Sequence, residues 1–128
     1  MNYRRIGYQE RSFLDEIEIP ADARSFIAKM NRLNDPDVSA FLGVEEGRLA
    51  LGSLNRTLIE GDKKILLMMA LYTPRGRKDL QEVFIRMTTR CDEFGISEIR
   101  VSPDLNSRKT EFRFLGFTES EWGLCYNL

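Results

Sequence analysis

Three basic side chains crowd the start of an amphipathic segment in the middle of the chain. Arg75, Arg77 and Lys78 follow a turn and precede apolar residues spaced at steps of three and four. The N-terminus of a helix binds anions, and an exposed cation there typically costs ~0.3–1 kcal/mol unless an anion compensates it. Two interpretations are therefore open: a local anion site, or solvated turn residues that Asp79 partly compensates.

The side chains that could transfer protons are few. The sequence contains no histidine, which removes the commonest general base and a common metal ligand, so we predict no metal site. Proton transfer would fall to carboxylates, hydroxyls or thiols, and the candidates near the expected cleft are Ser102, Asp104 and Glu119. Glu45 and Glu46 either bind an amine or are solvated residues of a hairpin turn.

Composition limits the classes of protein to which the chain can belong. With 128 residues, 42% of them hydrophobic, we predict one domain spanning residues 1–128. Nineteen basic and twenty acidic residues give a net charge of −1, which argues against a nucleic-acid partner or a charged membrane surface. No apolar run approaches the length of a bilayer span, and we expect a cytoplasmic protein.

The basic turn lies between an apolar run and a helical pattern. Residues 65–71 are apolar at every position, which is typical of a central strand covered on both faces. The segment after the turn has one apolar stripe, formed by Leu80, Val83, Phe84, Met87, Cys91 and Phe94. A second strand is predicted at residues 96–102. The three pieces form a βαβ unit with a right-handed crossover.

The rest of the chain adds strands and helices around this unit. We predict strands at residues 2–6, 38–44, 48–59 and 122–128, and helices at residues 20–33 and 107–115. A short irregular or helical piece is expected at residues 10–17. The predicted fold class is α/β (α+β), with a mixed, mostly antiparallel central sheet of about six to seven strands flanked by helices.

This order of elements, together with the residues after the central strand, resembles the GNAT superfamily of acyl-CoA-dependent N-acetyltransferases. In that family a Gln/Arg-x-x-Gly-x-Gly/Ala turn follows the central strand, and its amides hold the coenzyme pyrophosphate. The matching residues here are Arg75, Gly76, Arg77, Lys78, Asp79 and Leu80. Arg75 and Gly76 fit, whereas Lys78 and Leu80 replace glycines of the pattern. The resemblance therefore implies that these six residues, with Leu71, bind acetyl-CoA.

A second piece of the resemblance lies near the C-terminal end. The residues from Asn106 to Phe117 resemble the family's Asn, short helix, Tyr and Gly-Phe ending, which adds Asn106 to the implied coenzyme site. The family's Tyr is its proposed general acid, and Phe112 stands at that position. The resemblance also implies that backbone amides near Met69 and Leu71 polarise the thioester carbonyl. No carboxylate lies on the predicted central strand.

Two functions follow from these residues. The first is a small, diverged N-acetyltransferase that transfers an acyl group from acetyl-CoA to an unknown amine. The second is a non-catalytic module of the same fold that binds a protein partner in a structural or regulatory role, for instance as a phage-derived or accessory component. The missing Tyr and the altered turn favour the second, and fold alone does not decide between them.

Overall fold

Glycine turns divide the first half of the chain into long antiparallel strands. Gly47 and Gly61, with φ of 74° and 63°, connect successive strands in the left-handed conformation that glycine adopts without strain. The computed structural model describes residues 1–128 and contains seven strands. They are β1 Asn2–Gly7, β2 Val38–Glu45, β3 Arg48–Glu60, β4 Lys63–Tyr72, β5 Glu98–Val101, β6 Thr118–Ser120 and β7 Gly123–Asn127.

The strands form one sheet in the order β1-β2-β3-β4-β5-β7-β6. The pair β4 and β5 is parallel, and every other neighbouring pair is antiparallel. The mostly antiparallel, mixed sheet of the sequence prediction is therefore confirmed. The helices are α1 Arg24–Arg32, α2 Arg77–Cys91 and α3 Lys109–Phe114, with 3₁₀ segments at Tyr8–Glu16, Ala21–Ala23, Asp92–Phe94 and Pro103–Arg108.

Two apolar cores lie on opposite faces of this sheet, and β4 contributes to both. Leu66 and Met68 belong to the core beneath α2, with Val83 and Phe84. Met69, Ala70 and Tyr72 belong to the core beneath α1, with Phe26 and Met30. Burial on both faces explains why the sequence of β4 is apolar at successive positions.

Several boundaries differ from the sequence prediction. The segment predicted as one final strand, residues 122–128, is the second half of a hairpin whose first strand is β6. Strand β6 was missed because all three of its residues are exposed and carry no apolar pattern. Strand β5 is shorter than predicted. No helix in the structure is long and apolar enough to cross a membrane.

Candidate active site

The two parallel strands at the centre of the sheet separate before β4 ends. They pair from Ile65, opposite Glu98, to Met68, opposite Val101. The Ser102 amide then donates to the Met68 carbonyl at 2.8 Å. Beyond this point β4 continues to Tyr72, whereas the other chain turns into the Pro103–Arg108 helix. Residues 69–72 therefore have no strand on their β5 side, and we name this gap the strand opening.

A β-bulge on β4 lies at the strand opening. Leu54 of β3 is opposite Ala70, whereas Asn55 is opposite Met68, so Met69 is an extra residue in β4. A bulge bends its strand and turns backbone groups away from the ladder. Met69 packs on the α1 side and Leu71 contacts the core on the α2 side. The backbone segment that the sequence suggested as catalytic is therefore at the opening.

The turn after β4 presents backbone donors at the start of α2. The Gly76 amide donates to the Thr73 carbonyl at 2.9 Å, and the Leu80 amide donates to the Gly76 carbonyl at 3.1 Å. The amides of the first three helical residues, Arg77, Lys78 and Asp79, have no acceptor in the protein. The 15-residue helix α2 thus begins with three free N–H groups, and the cationic side chains of Arg77 and Lys78 lie beside them.

Asp79 shapes this turn from inside. Its carboxylate is fully buried and accepts from both the backbone N–H and the Nε of Arg75, each at 2.8 Å. Leu80, at the last glycine position of the family pattern, is buried in the core beneath α2, whereas Lys78 is exposed. Asp79 is therefore an internal partner of Arg75, a role that the sequence interpretation as a solvated compensating charge did not anticipate.

Two side-chain links span the strand opening. Lys29 of α1 donates from Nζ to the Met69 carbonyl at 2.9 Å and to Asp104 Oδ2 at 3.0 Å. Arg108 donates to the Thr73 hydroxyl and pairs with Glu111 at 2.5 Å. Sequence reasoning missed Lys29 because a lysine in an amphipathic helix carries no signal of a contact with a distant strand. It did name Asp104.

A cleft of 530 Å³ lies beside the end of β4. Its charged walls are Asp22, Glu45, Glu46 and Arg48, and Tyr72 also lines it. The Tyr72 hydroxyl donates to Asp22 at 2.8 Å. Burial, and then the hydrogen bond to Asp22, raise the pKa of Tyr72 to about 12, so the phenol stays neutral at physiological pH. We name this the acidic cleft.

The acidic cleft contains both glutamates that the sequence suggested for an amine. Asp22 and Tyr72 were not predicted there, because they are 50 residues apart and no local spacing connects them.

Other predicted residues lie elsewhere. Asn106 is exposed on its 3₁₀ helix and lines a separate cleft of 300 Å³ with Lys109 and Trp122. Phe112 is fully buried and packs edge-on against Phe117, with ring centroids 5.2 Å apart. Glu119 pairs with Arg113 on the surface. No group of three or more His, Cys, Asp or Glu residues is arranged to hold a metal ion.

The donor set of the α2 turn fits the phosphates of a coenzyme. Free N–H groups at a helix N-terminus are the backbone elements that bind phosphate, and Arg77 and Lys78 add positive charge. The turn directly follows β4, so such a ligand could extend from the turn toward the strand opening.

Known structures share this architecture. An aminoglycoside acetyltransferase from an uncultured soil metagenomic sample, in complex with sisomicin, superimposes with a TM-score of 0.66 at 12% identity over 94% of this chain and 89% of its own. A ribosomal-protein-alanine N-acetyltransferase from Brucella melitensis gives 0.66 at 13% identity over 96% of both chains.

A predicted acetyltransferase with acetyl-CoA from Clostridium acetobutylicum gives a TM-score of 0.60 at 16% identity, over 94% of this chain and 91% of its own. No protein-family model and no curated sequence matches the chain. The order of the elements, the parallel β4–β5 pair and these superpositions agree, and this chain therefore has the fold of the GNAT superfamily of N-acetyltransferases.

Proposed function

We propose that this chain is an N-acetyltransferase that transfers an acetyl group from acetyl-CoA to an amine. The observation that carries the proposal is the strand opening on β4, directly followed by a helix N-terminus with three free N–H groups. The strand opening can admit the acyl end of the coenzyme between two strands, and the helix N-terminus can hold the phosphates of the coenzyme. Structural neighbours that contain acetyl-CoA or coenzyme A support the same assignment.

Each part of the coenzyme has candidate residues. The amides of Arg77, Lys78 and Asp79 would donate to the pyrophosphate, and the ion pair between Arg75 and the buried Asp79 would hold these amides in position. The coenzyme supplies a thioester, an acyl donor that reacts with amines without prior activation. Backbone N–H groups of β4 at the bulge would polarise its carbonyl, which is the usual role of fixed donors in acyl transfer.

The acidic cleft is the candidate site for the amine. Asp22, Glu45 and Glu46 favour a cation there, while Tyr72, held by Asp22, fixes one wall at the end of β4. The aminoglycoside and ribosomal-protein enzymes among the neighbours act on amines, which supports an amine acceptor here too. Holding amine and thioester together can supply about 7–11 kcal/mol of the barrier, so positioning alone can carry much of the reaction.

One observation favours the second candidate, a non-catalytic module of this fold that binds a protein partner. Phe112 takes the position of the family's acid and is fully buried in the core, so it has neither a proton to give nor access to the opening. General acid catalysis is typically worth ~10²–10⁴-fold. Its loss slows a reaction with a good leaving group, such as a thiol, without preventing it.

Calorimetric titration with coenzyme A separates the two candidates. We expect saturable binding by the natural chain. The Arg77→Glu, Lys78→Glu double variant should bind at least about 10-fold more weakly, because charge-assisted contacts are worth about 1.5–3 kcal/mol each. Arg24→Glu is the matched control, since Arg24 is an exposed cation at the first residue of another helix, α1.

Acetyl transfer to a panel of amines then tests catalysis. We expect product formation with polyamines or aminoglycosides that suit the acidic cleft, and slower transfer in Glu45→Gln, Glu46→Gln. Absence of heat on titration of the natural chain would contradict the acetyltransferase proposal. Binding without transfer to any amine would favour the module.

A further inference from the structure

The side chain of Lys29 reaches the strand opening from the α1 face. Its Nζ lies 2.9 Å from the carbonyl oxygen of Met69, the extra residue of the β4 bulge. Its side chain is 24% exposed, so the amine is neither free in solvent nor sealed in the core. Among the lysines of the chain, Lys64 makes a comparable bond, from Nζ to the Phe94 carbonyl at 2.9 Å, but far along the sheet from the opening.

We propose that Lys29 is a site of self-acylation, at which the ε-amine of the chain accepts an acyl group from a bound acyl-CoA thioester. The inference rests on the proposed function, because it needs a thioester at the strand opening. Helices α1 and α2 pack on opposite faces of the sheet. Lys29 therefore approaches the opening from the sheet face opposite α2, the helix that carries the candidate phosphate turn at its N-terminus.

Asp104 supplies the second component of the site. Its Oδ2 lies 3.0 Å from Lys29 Nζ, so the carboxylate orients the ε-nitrogen and is within hydrogen-bond reach of the proton that this nitrogen loses as the amide forms. Asp104 is the second residue of the 3₁₀ helix that follows β5, and the Ser102 hydroxyl accepts from its backbone amide at 3.2 Å. The carboxylate is thereby held near the opening by a turn that is anchored to β5.

The reaction balances without any further reactant. The Lys29 ammonium loses one proton to solvent, and the resulting amine forms a C–N bond to the thioester carbonyl carbon. The nitrogen then loses its second proton to Asp104, which passes it to the departing sulfur. The C–S bond breaks, and coenzyme A leaves with the bonding electron pair and takes up one proton. The products are an ε-amide at Lys29, the free thiol and one proton released to solvent.

Acylation would also change the structure. An amide carries no charge and has one donor, so it cannot maintain both the Asp104 pair and the Met69 bond. The link between α1 and the Pro103–Arg108 helix would be lost. We therefore expect the acylated chain to melt at a lower temperature than the unmodified chain, which gives a readout that does not depend on transfer activity.

The test is a time course of the natural chain with acetyl-CoA, followed by removal of the coenzyme and then by peptide mass spectrometry and calorimetry on the same preparation. Lys64 is the internal control for unassisted acylation. We expect Lys29 to gain an acetyl group at least about 10-fold faster than Lys64, with a rate that saturates as acetyl-CoA fills its site. Acylation of Lys64 should rise linearly with concentration.

Two variants sharpen the assignment. Asp104→Asn keeps the size of the side chain but removes its ability to take a proton, and should slow labelling of Lys29 while leaving labelling of Lys64 unchanged. Lys29→Arg keeps the charge and removes the acceptor, so its melting temperature, measured after the coenzyme has been removed, should be the same before and after incubation with acetyl-CoA.

The outcomes separate this inference from the proposed function. Saturable coenzyme binding with preferential labelling of Lys29 supports both. Saturable binding and transfer to small amines, with Lys29 labelled no faster than Lys64, overturns self-acylation and leaves the acetyltransferase intact. Absence of coenzyme binding overturns both.

Discussion

Asp79 shows how one buried side chain can hold a turn in place, here the turn that we propose binds the coenzyme. Its carboxylate is fully buried and its two hydrogen bonds both go to Arg75. We expect Asp79→Ala to lower the free energy of unfolding by about 2–3 kcal/mol, because charge-assisted hydrogen bonds are lost. Urea denaturation followed by circular dichroism measures this change. Asp79→Ala should also weaken coenzyme A binding, since the turn amides lose their support.

Neighbouring residues of the same turn supply the controls. Arg75→Glu should destabilise the chain because it places a second carboxylate beside a buried one. Lys78→Glu should leave stability within about 0.5 kcal/mol, since Lys78 is exposed and has no ion-pair partner. Equal stability of Arg75→Glu and Lys78→Glu would contradict the role of the Arg75–Asp79 pair.

The residue types of the candidate site could be identified from the sequence, but the residues that they contact could not. The basic turn at Arg75, Arg77 and Lys78 follows from a local pattern, and it does lie at a helix N-terminus. The partners of Tyr72 and Lys29 are 50 and 75 residues away. Such contacts depend on tertiary packing, which no local spacing reports.

Strands β3, β4 and β5 are connected on one face by a network of ion pairs. Arg100 of β5 is 6% exposed and pairs with Glu98 of the same strand and with Glu60 of β3 at 2.7 Å. Lys63 of β4 donates to Glu98 at 2.8 Å. Burial alone would raise the pKa of Glu98, but hydrogen bonds from Lys63 and Arg100 outweigh it and hold the pKa below its usual range.

The network predicts a specific dependence of stability on pH. Because the pKa of Glu98 is depressed in the folded state, its contribution is complete above the unfolded value of about 4.3 and is lost as the pH falls through the folded value. We expect Arg100→Met to cost about 3 kcal/mol at pH 7. The difference from the natural chain should shrink in urea titrations at progressively lower pH below about 4.3.

Arg56 supplies a matched control for Arg100. It also pairs with two carboxylates, Asp35 and Asp37, but both of these are exposed. Arg56→Met should therefore cost less than about 1 kcal/mol at pH 7. Similar costs for the two variants would show that burial of the Arg100 network has no energetic consequence.

Elements with strong periodicity could be predicted, and those without it could not. The unbroken apolar sequence of β4 identified a strand buried on both faces, and the stripe of α2 identified the face that packs on it. The sequence could not predict the buried Glu98 and Arg100 of β5, because charges in a short strand resemble an exposed edge. Strand β6, fully exposed, gave no pattern at all.

The fold as a whole could be predicted from the order of the elements in the sequence. The candidate site, in contrast, depends on where the pairing between β4 and β5 ends. A βαβ unit next to an antiparallel meander predicts the parallel pair at the centre of the sheet. The strand opening exists because β5 stops at Val101 while β4 continues to Tyr72. That difference in length and the bulge at Met69 both depend on pairing between segments that are distant in the sequence, so no single segment encodes them.

Hydrogen exchange can measure this difference in pairing across the whole molecule. Exchange in the central sheet should report global unfolding, because amides of β3 and of residues 65–68 are bonded within a buried, paired region. Amides of residues 69–72 that do not face β3 lack a strand partner and should exchange faster. The free amides of Arg77, Lys78 and Asp79 should exchange faster still. Mass-spectrometric or NMR exchange resolves these segments.

Coenzyme A gives the decisive comparison in the same experiment. If the phosphates occupy the α2 turn and the acyl end enters the strand opening, protection should rise at residues 77–79 and 69–72 together. The amides of β1 and β2, on the far side of the sheet, are the internal control and should not change. Protection at the turn alone would place the coenzyme on the surface and contradict the strand opening as its acyl site. Uniform slow exchange along β4 without ligand would contradict the opening itself, because every amide of the strand would then be paired.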